Sequence, residues 1–195
     1  MLLPCCYLAP ISHYSALFHA EEAHLEVYDN FAKQTLRNRC FIDSPSGPLP
    51  LSIPVVKPEG KTPLRDIRIS DHGNWRHQHW AALGSSYRQS PFFEYYADEF
   101  APFYEKKWEF LADYNEALMR LIMEELDITT PIQRTQGYEG DAFQLLPAYT
   151  PKPYYQMFST AAGSGQKGAT RHPFLPDLSI VDLLFNLGPE GLLWL

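Results

Sequence analysis

Within its first thirty residues the chain spells out a strand, a helix and a second strand, an order that leaves few folds open. Leu2 to Leu8 is a continuous apolar run, the pattern of a strand buried on both faces. Pro10 stops it, and Ser12 stands where it can cap a helix running to about Glu22, with Tyr14, Leu17 and Phe18 on one side. Ala23-His24-Leu25-Glu26-Val27-Tyr28 then alternates apolar and polar, which is the period of a strand. Strand, helix and strand in so short a span have the size of a right-handed crossover, whose two strands run parallel. The sequence predicts an α/β fold.

Two further extended pieces, Arg39 to Ile42 and Leu49 to Val56, flank the turn Ser44-Pro45-Ser46-Gly47-Pro48. They read as a hairpin that completes a mixed sheet, with Pro50 and Pro54 placing its second strand at an edge. Ile67-Arg68-Ile69 alternates again as a short strand. From Asn74 the texture turns helical. Asp71 or Asn74 caps a helix through Tyr87, and Ser90-Pro91 opens a second. A third runs from about Ala101 to Leu126, with Phe103, Phe110, Tyr114, Leu118 and Ile122 on its apolar stripe. Residues 127–178 keep no period, and Gly163 to Gly168 is a loop without the Gly-Lys-Ser/Thr of a phosphate loop. Ser179, with Asp182 three residues on and Gly188-Pro189 as a stop, frames a short helix over 180–187. The expectation is one domain over 1–195: an α/β portion to about residue 70, a helical portion over about 74–126, and an irregular C-terminal region with that one helix.

An apolar share of 45% and a charged share of 20% are ordinary for a globular chain. The net charge of −7 argues against a nucleic-acid partner. No run approaches the roughly 18 apolar residues of a membrane span. Three cysteines, with Cys5 and Cys6 adjacent, suit reduced thiols, and a cytoplasmic location is expected. These features fix neither a cofactor nor an oligomeric state.

In so acidic a chain, Lys33, Arg37 and Arg39 put three positive charges into seven residues just after a strand, where α/β folds open their ligand crevices. Arg37 and Arg39, flanking Asn38, can present planar donors to a phosphate or carboxylate, with Lys33 assisting. The bland alternative is a solvated loop, or ion pairs to surplus acids. Asp29 or His79 would handle a proton. His72, His77 and His79 fall within eight residues, but the two-residue step from His77 to His79 points them apart, so no metal is expected. Cys5 and Cys6 read as packing, while Cys40 has a basic neighbour, Arg39, able to lower its pKa.

Tyr7-Leu8-Ala9-Pro10 and then Lys33-Gln34-Thr35-Leu36-Arg37-Asn38-Arg39-Cys40 open a series of separated motifs. In this order they resemble the WbqC-like proteins, in a branch typical of Bacteroidetes, with its tyrosine-leucine-proline opening and its K-Q-T-x-R-N-R-C. Leu51 to Val55, Trp75 with His79-Trp80, Tyr87, Ser90 to Tyr96 and Leu178 to Pro189 follow. Ala9 intrudes into the first motif, and Glu26-Val27-Tyr28-Asp29 stands where other members carry an acidic run. The resemblance implies a part in surface-polysaccharide (O-antigen) synthesis. The basic island after a strand, in a chain of net charge −7, points to an enzyme, a possible transferase, acting on a nucleotide-linked sugar or another phosphorylated or activated small molecule. A second reading is a non-catalytic binding or assembly module, whose aromatics Phe92, Phe93, Tyr95 and Tyr96 form a partner surface.

Overall fold

The computed structural model describes residues 1–160 and 172–195, so the loop expected over Gly163 to Gly168 lies outside the described residues. The opening crossover is present. Strand β1 (Leu2–Pro4), helix α1 (Ile11–Phe18) and strand β2 (Ala23–Glu26) follow in order, and Leu3 pairs in parallel with Leu25. A third parallel strand, β5 (Ile132–Arg134), lies on the other side of β2 with Arg134 opposite Leu25. Strand β1 is shorter than its apolar run. Cys5 to Pro10 leave the sheet yet stay buried, and Leu8 adopts φ 39°, so the run records burial beyond the strand itself.

β3 (Arg39–Ile42) and β4 (Leu49–Ser52) form the antiparallel hairpin, with Cys40 opposite Leu51. The hairpin is a two-stranded ribbon of its own and does not extend the parallel sheet, which corrects the expectation of one mixed sheet. Ile67 to Ile69 form no strand either: Ile69 makes a single bridge to Val55 and Arg68 one to Phe110.

Helix α1 receives its cap from a distant part of the chain. The Ser12 backbone N–H and hydroxyl both donate to the Asp177 carboxylate, at 2.7 and 2.8 Å, so a negative group from the tail satisfies the first turn. The helical portion holds α2 (Trp75–Tyr87), α3 (Phe93–Glu105) and α4 (Leu111–Glu125). The third of these begins at Leu111 rather than near Ala101. The stripe that reads as continuous belongs to two helices whose apolar faces meet, with Phe103 of α3 packing against Tyr114 of α4 at 6.1 Å between centroids.

Helix α5 (Ile180–Leu187) matches its sequence signals, with the Ser179 side chain accepting from the Val181 N–H and Gly188 at the stop. Every residue from Ile180 to Asn186 is buried. Phe185 sits among the rings of Tyr87, Phe93, Tyr96 and Phe100, 5.2–6.4 Å between centroids. Phe93 and Tyr96 are therefore core and Phe92 is half-buried, so of the four aromatics Tyr95 alone is exposed, at 73%. This corrects the reading of 92–96 as a partner surface. Asp182 is not a cap either. Its buried carboxylate accepts from Tyr87 Oη at 2.8 Å, from Gln156 Nε2 at 3.0 Å and from Tyr154 Oη, tying the tail to α2 and α5.

Candidate functional site

Past the carboxyl ends of β1 and β2 the chain enters two loops that lie against each other, the Tyr7 N–H donating to the Leu36 carbonyl at 3.0 Å. In the second loop Arg37 pairs with Asp29 and lies over the Phe143 ring, 4.5 Å from its centroid. The Arg37 carbonyl accepts from Asn115 Nδ2 at 2.8 Å. Asn38 Nδ2 donates to the Ile53 carbonyl at 2.9 Å, and Arg39 Nε to Ser52 Oγ at 2.7 Å. Lys33 is exposed. The structure thus brings Asp29 and Arg37 together, while Asn38 and Arg39 turn toward the end of β4.

His79 stands on the buried side of α2. The Tyr7 hydroxyl lies between His79 Nδ1, at 2.9 Å, and Tyr104 Oη, at 3.1 Å. Burial pushes the His79 imidazole down to about 4, with the Ser52 backbone partly opposing, so the ring is neutral near pH 7. One proton assignment satisfies the set: Tyr104 donates to Tyr7, Tyr7 donates to Nδ1, and Nε2 donates to the Ser52 carbonyl. Arg39 holds the same serine by its hydroxyl, so His79 and Arg39 meet at Ser52. Trp75 stands edge-on to His79 at 5.1 Å, and Tyr7 stacks on Tyr114 at 6.0 Å.

Tyr104 is also a wall of a cavity of about 410 Å³ at the start of α2. Trp80, stacked on Tyr104 at 5.5 Å, continues that wall, and Asp71, Arg76, His77 and Lys107 contribute polar groups. The volume is that of a small-molecule site. Asp71 accepts from Lys107 Nζ at 2.7 Å and from Arg76 Nη1 at 2.8 Å, and these two cations hold its carboxyl below the usual range. The Arg76 guanidinium lies over the Trp75 ring at 4.8 Å. Its Nε and Nη2 are shielded from solvent and have no hydrogen-bond partner among the described residues. Native structures rarely leave such donors unpaired. Asn74, also on the cavity wall, makes no side-chain cap to α2, and the positive end of that helix lies at the same place.

Sequence reasoning missed Arg76, Tyr104 and Lys107, which come from a helix start, the end of α3 and the crossing to α4. The run Trp75 to Trp80 was the one visible signal nearby. Cys40 departs from its expectation: it is buried within β3, and burial pushes its thiol up rather than down. Cys5 is likewise pushed up to about 12. Among the described residues no three His, Cys, Asp or Glu side chains gather in metal-ligating geometry, and no helix is long and apolar enough to cross a membrane.

The sequence profile of the WbqC-like protein family matches residues 6–163, a span that holds Tyr7, the Asp29 to Arg39 loop, Arg76, His79 and Tyr104. The chain belongs to the WbqC-like family. It is also similar to the uncharacterized protein Rv1507c of Mycobacterium tuberculosis, 32% identical over 117 residues, which make up 58% of this chain and 50% of that protein. The chain therefore spans about half the length of the curated relative it matches. No solved structure matches it.

Proposed function

We propose that the protein binds a phosphorylated small molecule in the cavity at the start of α2 and acts on it as an enzyme. The reading is a transferase that takes a nucleotide-linked sugar, or a similarly activated intermediate, in cytoplasmic synthesis of surface polysaccharide such as O-antigen. Arg76 carries it. The guanidinium lines the cavity, meets Asp71 through one nitrogen, and keeps Nε and Nη2 as the edge that pairs with two oxygens of a phosphate. Both nitrogens are shielded in the structure, so this reading requires the side chain to rotate for that edge to meet a ligand in the cavity. Lys107 adds a point charge, and the positive end of the α2 dipole lies beside it. Trp80 and Tyr104 supply a flat surface for a ring.

Cations placed in this way stabilise the charge that develops on a phosphoryl-linked leaving group. The hydrogen-bonded chain from Tyr104 through Tyr7 to His79 then ties the cavity wall to a neutral imidazole and fixes the orientation of the Tyr104 hydroxyl. In this reading Arg37, with Asp29, and Asn38 hold the loop over Tyr7, and Arg39 holds Ser52 against His79. Calorimetry against inorganic pyrophosphate, nucleoside diphosphates and nucleotide sugars tests the proposal. Support is binding that weakens at least tenfold in Arg76→Ala, in a variant that still unfolds cooperatively. An unchanged affinity in that variant, or no binding across the panel, overturns it.

A further inference from the structure

The cavity at the start of α2 does not end at Trp80. A second one, of about 500 Å³, opens along α2 and α3, and His77 and Trp80 line both. The lining residues His77, Ala81 and Gly84 of α2, with Arg88 at its C-cap in helical conformation, recur at steps of four, three and four, so they share one face. His77 and Arg88 are about 16 Å apart along the helix. From α3 come Ala97 and the Phe93 ring, which lies 5.9 Å from the Trp80 ring. Small side chains on both helices keep the groove open between the two aromatic groups and the exposed Arg88. The charge differs between the two halves. The first cavity has Asp71 and Glu105 beside its cations, whereas no carboxylate of the described residues lines the second.

We infer that the two cavities form one cleft and that its ligand is elongated. The phosphoryl group sits by Arg76 and Lys107, and an uncharged ring-bearing body runs past Trp80 into the groove between α2 and α3, toward Arg88. This rests on the phosphate-binding reading above and adds the direction in which the ligand points. A face of indole and phenyl, with His77 and Ser85 as hydrogen-bonding groups beside it, suits a ring that is flat on one side and polar at its edge. A bare phosphate or pyrophosphate then fills only the first half of the cleft.

Gly84 gives access to the groove without touching the first cavity. A Cβ there meets only Arg88 Nη2, at 3.7 Å, so Gly84→Leu places its side chain in the groove, and leucine favours the helix over glycine. Calorimetry on the full chain compares inorganic pyrophosphate, the short probe, with uridine, guanosine and thymidine diphosphate hexoses, the long ones. At least one long probe binds the wild type more tightly than pyrophosphate. Gly84→Leu weakens that probe tenfold or more and leaves pyrophosphate within twofold, whereas Arg76→Ala weakens both. The exposed substitution Arg88→Glu gives the same split should Gly84→Leu unfold. If both groove variants leave the long probe unchanged while Arg76→Ala weakens it, the groove is not part of the site, and the inference fails while the phosphate reading stands. A wild type that binds neither class of probe overturns both.

Discussion

The Tyr7 hydroxyl lies 2.9 Å from His79 Nδ1, although 72 residues separate them. Tyr7→Phe keeps the ring and its stack on Tyr114 but leaves Nδ1 buried without a donor. The expected loss is about 1–3 kcal/mol of stability, the penalty for an unsatisfied buried acceptor. Urea unfolding measures it, and a midpoint equal to wild type would remove the pair from the account of this core.

Asp182 gives stability a dependence on pH. Burial raises its carboxyl from 3.8 to about 7, Asp43 adding to the rise and the donors Tyr154, Tyr87 and Gln156 opposing it. The folded chain therefore holds a proton that the unfolded chain releases between about pH 4 and pH 7, and stability falls as pH rises through that window. Asp182→Asn has no such proton. Its stability relative to wild type should grow by a few kcal/mol across the window and level off above it. A constant difference from pH 4 to pH 8 would show that Asp182 does not titrate there. For His13 and His79, both pushed down to about 4 by burial, the sign reverses: their contribution is complete above about pH 6.5 and is lost as pH falls toward 4.

Two glycines should respond oppositely to alanine. Gly188 has φ 58° and ψ −140°, and a Cβ there would lie 2.6 Å from ring carbons of Phe92. Gly188→Ala combines backbone strain with overpacking and should cost about 2–4 kcal/mol. Gly84 is helical and its Cβ would make only an ordinary contact, 3.7 Å to Arg88 Nη2, so Gly84→Ala should stabilise by about 0.5–1 kcal/mol. Thermal unfolding of the two variants decides; a shift of the same sign in both would refute the contrast.

Arg37 and Lys33 share a loop but not an environment. The Arg37 and Asp29 side chains are 11% and 19% exposed, so Arg37→Ala strands a shielded carboxylate and should cost about 3 kcal/mol. Lys33→Ala, at an exposed position, should stay within about 0.5 kcal/mol of wild type. Denaturant curves of the two variants would contradict this if their midpoints moved equally.

The crossover was legible because apolar run, breaker and alternation all lie within thirty residues, and α5 because serine, acid and glycine mark both of its ends. β5 was not. Its three residues show no period, and its partner in β2 is 109 residues away, so only the folded sheet defines it. The cap of α1 escaped for the same reason, since Asp177 reaches Ser12 across 165 residues. The basic loop was visible as charge, but that Asp29 engages Arg37 while Arg76 keeps unpaired nitrogens is a fact of packing. Charge counts along a sequence do not distinguish an arginine that holds a loop from one that faces a cavity.

Helix α5 packs against α1, α2 and α3, and Phe185 fills the space between rings that α2 and α3 supply. On a ribosome those rings emerge well before the side chain that covers them. From Phe93 to Leu187 synthesis takes roughly 5–20 s at ordinary elongation rates. Through that interval the nascent polypeptide carries an unfilled aromatic socket, and its productive collapse waits on translation of the segment that closes it.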